Sequence, residues 1–155
     1  MKRILLFVFL FNIVFCSCSK KDNDNEETVP AQNYSASVSM TGKIDSRTWV
    51  ASKIDANVNK LSNGKLELII NGMQEYNSEL VTLVLDDFSL TAKGYELGTQ
   101  AIAKYQQYSK KNDGIKGNVV IAVASRESLK GNYWFNTAEG TKVEGIFTVA
   151  PVYNY

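Results

Sequence analysis

Cys16 and Cys18 are the only thiols in this 155-residue chain, and it contains no histidine. Those two facts bound the chemistry. A Cys/His zinc centre lacks its ligands, and imidazole acid–base catalysis lacks its base. What remains are short strings of other reactive types. Asp86-Asp87 sets two carboxylates side by side. Neighbours on a strand point to opposite faces, however, and a turn after Leu85 accounts for both acids. Ser62-Asn63-Gly64-Lys65 matches a Ser-x-x-Lys string. That nucleophile needs a helix start, and this segment reads as a hairpin tip. Lys110 to Gly114 (KKNDG) reads as a charged, solvated loop. Tyr95, Tyr105 and Tyr108 have the ring surface to line a pocket, although packing explains buried aromatics equally well. No nucleophile stands with a base, so the expectation is a non-enzyme with no catalytic residue, metal site or cofactor.

The thiol of Cys18 has the context for a different chemistry. Met1-Lys2-Arg3 is a basic start, and Ile4 to Phe15 is apolar except for Asn12. A small residue, Ser17, precedes Cys18, which completes the layout of a secretory signal. The apolar run is too short for a membrane span, which takes about 20 residues. Phe15-Cys16-Ser17-Cys18 resembles the lipobox of bacterial lipoproteins. The resemblance implies cleavage just before Cys18 and diacylglycerol on its sulfur. Phe15 stands where Leu is usual, and its bulk directly before Cys16 disqualifies that residue as the acceptor. Each buried methylene of an acyl chain contributes about 0.8 kcal/mol, so the two or three chains implied here anchor stably where one would not. Ser19 replaces the Asp that some bacteria use to retain lipoproteins at the inner membrane. The expected partner of Cys18 is therefore the outer membrane, on its periplasmic or cell-surface face.

The chain divides into a signal peptide (1–17), a lipidated disordered tether (18–33) and a β-rich domain (34–155). Removing 1–17 takes Lys2 and Arg3 from 17 bases and nothing from 16 acids, leaving 15 against 16 and a net charge of −1. Nucleic acid is not an expected partner at that balance. One cysteine remains, so no disulfide forms within the monomer. Ser19 to Asn33 (SKKDNDNEETVPAQN) is polar and charged, too poor in apolar surface to fold alone. As a flexible coil it reaches about 20 Å. Its acids, Asp22, Asp24, Glu26 and Glu27, lack the glycine and flanking helices of a calcium loop. They resemble, in part, the acid-rich surface-export tethers of Bacteroidota lipoproteins. Lys20 and Lys21 come first, however, and Asn23 and Asn25 interrupt the acids.

From Tyr34 the hydrophobic period becomes two. The runs are Tyr34–Met40, Ile54–Val58, Leu66–Ile70, Val81–Leu85, Val119–Val123, Tyr133–Phe135 and Val143–Val149, punctuated by Gly and Asn/Asp. Short strands with regular turn signals predict an all-β domain, a single antiparallel meander forming a β-sandwich or flattened barrel. Thr99 to Tyr108 is the best helical candidate, on the spacing of Tyr105 and Tyr108. Two hairpins can be registered. A three-residue Ser62-Asn63-Gly64 loop with Gly64 left-handed pairs Val58 with Leu68 and Ala56 with Ile70, which keeps one face apolar. Likewise Ala138-Glu139-Gly140 pairs Phe135 with Val143 and Tyr133 with Gly145, where the ring can lie across the glycine. Trp134 then faces the other way, opposite Glu144 and between Asn132 and Asn136. Trp49 reads as core or sheet edge.

Four segments carry a wider resemblance: GKIDSRTWVAS (42–52), GYELG (94–98), GNVVIAV (117–123) and LKGNYWFNTAEGTKVEGIFTV (129–149). Together they resemble a family of small Bacteroidota lipoproteins that share a G-K-x-W-x-A opening, a G-x-Y-x-L-G middle and paired G-x-F strands. Here extra residues separate Lys43 from Trp49. The shared motifs are structural glycines and aromatics. The resemblance therefore implies a β domain on a lipid anchor in a diderm bacterium, and no catalytic residue.

The functional expectation is a lipid-anchored binding or envelope-assembly module, with a protein or glycan partner. Alternatives are a calycin-like barrel carrying a small apolar ligand and a glycan-binding surface protein. Trp134 is the one candidate ligand-binding residue: a tryptophan ringed by amides and charges suits a sugar face or a partner's surface. Cys18→Ala should abolish fatty-acid labelling and membrane fractionation and leave uncleaved precursor. A variant that still loses its signal and sediments with outer membranes would refute the lipid anchor.

Overall fold

The computed structural model describes residues 38–155, and every element in them is a strand. Cys18 and the segments expected to be signal peptide and tether lie outside the described residues, as does the start of the Tyr34–Met40 run. The strands are β1 (Ser39–Ile44), β2 (Arg47–Val50), β3 (Lys53–Lys60), β4 (Leu66–Gln74), β5 (Glu79–Asp86), β6 (Lys93–Glu96), β7 (Ala101–Gln107), β8 (Lys110–Ala124), β9 (Leu129–Thr137), β10 (Lys142–Val149) and β11 (Val152–Asn154). They form one sheet in the order β11-β3-β4-β5-β7-β8-β9-β10-β1-β2, with β6 paired to β8 off that path. The sheet curls into a half-barrel. Its pairs are antiparallel except β11 on β3, which is parallel, so the sheet is mixed rather than a pure meander.

Both hairpins have the register that a single apolar face demands. Val58 pairs with Leu68 and Ala56 with Ile70, and all four are buried. The loop between them closes through Leu61 N–H to the Lys65 carbonyl at 2.8 Å, with Gly64 at φ +82°. In the second hairpin Phe135 pairs with Val143 and Tyr133 with Gly145. A Cβ on Gly145 would stand 2.6 Å from the Tyr133 hydroxyl, so the ring occupies the space that the glycine leaves.

Thr99 to Tyr108 is not a helix. Ala101, Ala103 and Tyr105 are buried while Ile102 and Lys104 are exposed, so β7 alternates with period two against β5. The strand ends before Tyr108, which turns at φ 53° towards β8. Lys110 to Gly114 is likewise strand rather than loop. Lys110, Lys111, Asn112 and Asp113 pair with Gln107, Gln106, Tyr105 and Lys104 at the start of β8. Their charges reflect a strand open to water, which composition alone does not separate from a loop.

β8 joins the two halves of the curl. Its first residues pair with β7. From Gly114 it pairs with β9, and Asn118 to Ile121 pair with β6 on its other side. Register shifts fall between Gly114 and Lys116 and between Ile121 and Val123. Such bulges bend a strand and sharpen its twist.

At one end of the pairing order, β2 reaches across the interior. Trp49 is 1% exposed, and a Cβ on Gly72 of β4 would lie 2.8 Å from its Cη2 and 2.5 Å from the Met40 sulfur. Arg47, two residues earlier and on the same face, grips Glu79 of β5. Its Nη1 donates to Oε2 at 3.1 Å and its Nη2 to Oε1, while the Tyr105 hydroxyl donates to Oε1 at 2.6 Å. The Glu79 side chain is fully buried and that of Arg47 is 46% exposed. Burial first, then the bond to Glu79, raises the Tyr105 hydroxyl above its ordinary range and keeps it a donor. Arg47→Ala leaves that carboxylate buried without its cation. It should cost about 3 kcal/mol in urea denaturation, the low end for a broken buried pair because water reaches the guanidinium. Replacing both partners together, Arg47→Leu with Glu79→Leu, should recover most of the loss. Equal destabilisation by the double change would show that the pair is not the source of the cost.

Candidate functional site

The alternation of strands sorts this half of the sheet into two cross-strand rows, one per face. The inward row is Trp49, Gly42, Gly145, Tyr133, Val119 and Tyr95. Its large rings alternate with glycines and a valine, and Tyr133 and Tyr95 are buried. Burial alone raises the Tyr133 hydroxyl above its ordinary range. The outward row, one residue along, is Thr48, Lys43, Glu144, Trp134, Asn118 and Glu96. Trp134 therefore stands on the face away from the core, opposite Glu144, as the hairpin register predicts.

The indole is half-buried rather than fully exposed, because it forms one wall of a cleft of about 510 Å³. The cleft sits where β8 bulges beside β6. Glu96, Gln100, Ile115, Lys116 and Asn118 line it with Trp134. The bulge turns Ile115 outward to 66% exposure, an apolar flank for the indole. A Cβ on Gly117 would meet the Trp134 carbonyl and stand 2.6 Å from the Phe135 Cα. Only a residue without a side chain lets β8 press this closely on β9. Asn118, directly across from Trp134, has its Oδ1 buried with no hydrogen-bond partner among the described residues. On the other flank, Lys142 donates to Glu144 at 2.7 Å and holds that carboxyl below its ordinary range. Glu144 is thus already engaged by a neighbour on its own strand.

The other strings of reactive residues stay apart. Asp87 pairs with Lys65 at 3.4 Å on the surface, and Asp86 ends β5. Ser62, Asn63 and Gly64 form the tip of the β3–β4 hairpin, with no helix after them. Tyr95 and Tyr105 are buried and Tyr108 is 67% exposed, so the three rings line no common pocket. A second cleft, of about 410 Å³, opens beside Arg47 and Tyr105, where Lys110 and Glu139 pair at 2.5 Å. Its charged groups largely satisfy one another. The interior, where a calycin-like barrel would carry an apolar ligand, is occupied by buried Leu68, Ile70, Leu83, Phe135 and Phe147. Glu96, Gln100 and Ile115 are not readable from the sequence as site residues, because only the β6–β8 pairing and the bulge bring them to Trp134.

The chain belongs to the DUF6252 family, a domain of unknown function, whose model matches residues 36–151. No curated protein and no solved structure matches it.

The two tryptophans should separate by fluorescence. In a Trp49→Phe background, Trp134 should emit at long wavelength and be quenched by acrylamide. In a Trp134→Phe background, Trp49 should emit at short wavelength and resist quenching. A shielded Trp134 would remove it from the surface and close the cleft as a site.

Proposed function

We propose that this chain is a lipid-anchored envelope protein, held at the outer membrane through acylated Cys18, whose β domain binds a partner rather than transforming a substrate. The lipobox-like Phe15-Cys16-Ser17-Cys18 and the polar segment after it support the anchor. The likeness to Bacteroidota lipoproteins supports a diderm envelope as its setting. The observation that carries the binding reading is Trp134: a large amphipathic ring half-open in a cleft, flanked by Ile115 and faced by amides and one charge of each sign. Sites that bind small groups combine apolar walls with a few oriented polar atoms, and this cleft has both. The inward rings are spent on packing, which leaves the outer row as the face on which a partner can be met.

The test compares full-length protein with its Trp134→Ala variant for binding to isolated envelope material of the source cells. Loss of Trp134 should weaken binding about tenfold or more, as removal of a central aromatic anchor does. Stability should fall by less than about 3 kcal/mol, since the indole is only half-buried. Unchanged binding in the variant would rule out the cleft as the binding site.

A further inference from the structure

We infer that the Trp134 cleft takes a neutral saccharide, one sugar ring lying on the indole with its hydroxyls met by Asn118, Glu96 and Gln100. This rests on the reading of the cleft as the binding site and names its ligand class. Three observations point to it. First, the cleft offers a single half-open aromatic face, Trp134, extended by the exposed Ile115. A flat apolar wall of that size suits the C–H face of one pyranose ring. Pro-rich peptides, by contrast, dock on grooves lined by several aromatics, and the nearby Tyr95 is fully buried.

Second, the polar groups around the ring are suited to hydroxyls. A carboxylate accepts and an amide both donates and accepts, so Asn118, Gln100 and Glu96 together can meet groups that do either. The Asn118 Oδ1 is buried and unpartnered among the described residues, on the residue directly across from Trp134. That oxygen is closed to a water-sized group, so the other end of the amide, Nδ2, is the atom that offers a ligand hydroxyl a donor. Third, the charges balance. One acid, Glu96, and one base, Lys116, line the cleft, and the next acid along the row, Glu144, is held by Lys142. Nothing selects an anion here, whereas phosphate-bearing ligands are recognised by concentrated positive charge. The volume, about 510 Å³, accommodates a short oligosaccharide.

The experiment uses full-length protein in detergent carrying Trp49→Phe, so that emission reports Trp134 alone. It is titrated with neutral oligosaccharides of glucose, galactose, mannose and N-acetylglucosamine, with uronate-containing oligosaccharides and with a Pro-rich peptide. At least one neutral oligosaccharide should shift or quench Trp134 emission at saturating concentration. By calorimetry, Trp134→Ala should weaken its affinity about tenfold and Asn118→Ala about fivefold. Trp134→Phe should retain part of the affinity, which guards against a folding defect in the alanine variant. Ile102→Ala, on the other half of the sheet, should leave affinity unchanged. Binding of the peptide or the uronates alone, with the same dependence on Trp134, would overturn the saccharide and leave the cleft as a site. Neutral-sugar binding indifferent to Trp134 and Asn118 would overturn the placement. Absence of binding to every neutral oligosaccharide, with Trp134-dependent envelope binding intact, would overturn the ligand class alone. Loss of both would overturn the binding reading with it.

Discussion

The curl of this sheet depends on β2 reaching over the interior to strands at the far side of the pairing order. Trp49 lies in the space left by Gly72 of β4, and Arg47 binds the buried carboxylate of Glu79 on β5. No backbone ladder links β2 to those strands. Side chains close the curl instead, and they do so with two strong means open to a short strand: a large buried ring and a charge-assisted fork. The corner after β2 is tied by two backbone bonds, Ala51 N–H to the Met40 carbonyl at 2.9 Å and Ser52 N–H to the Met73 carbonyl at 2.7 Å. Gly72 is the enabling residue, since a side chain there would meet Met40, Trp49 and Ala51 together. The burial of Glu79 is costly unless its lone pairs are used, and Arg47 and Tyr105 between them supply three donors.

That closure commits the inward row to packing. Trp49, Tyr133 and Tyr95 fill the space beneath this half of the sheet, with Gly42 and Gly145 between the first two rings. Those rings are given over to packing. On the proposed binding reading, contact with a partner falls to the outward row and to places where the ladder is irregular. The bulge of β8 is such a place. It creates a concavity on an otherwise pleated surface, and bulges recur beside functional sites because they re-aim side chains.

Local patterning makes the hairpins legible. A glycine three residues into a polar loop fixes the turn, the turn fixes the register, and the register places Val58 on Leu68 and Tyr133 on Gly145. The face of Trp134 follows from the same step, because a strand has only two faces. Sequence reasoning fails where that step has no purchase. β7 is short, with alanines inward, and alanine carries no strand signal, so the spacing of two tyrosines competes with a weak alternation. The charged start of β8 resembles a loop because it follows a turn and carries no apolar residue until Ile115. Arg47 and Glu79 stand 32 residues apart, and nothing local announces that one will neutralise the other.

The cleft shows how a site can be half legible. Trp134 is visible because its own hairpin orients it, while Glu96, Gln100 and Ile115 reach it only through β6–β8 pairing and a one-residue insertion in β8. An insertion shifts every following residue by one position, so Ile115 turns outward while Val119 and Ile121 stay in the core. Gly117 makes that shift possible, because β8 comes too close to the Trp134 backbone there for any side chain. The same glycine that lets the strand lie against β9 after the bulge thus positions the wall facing the indole. Fold and candidate site share one residue, and a side chain at Gly117 would disturb both.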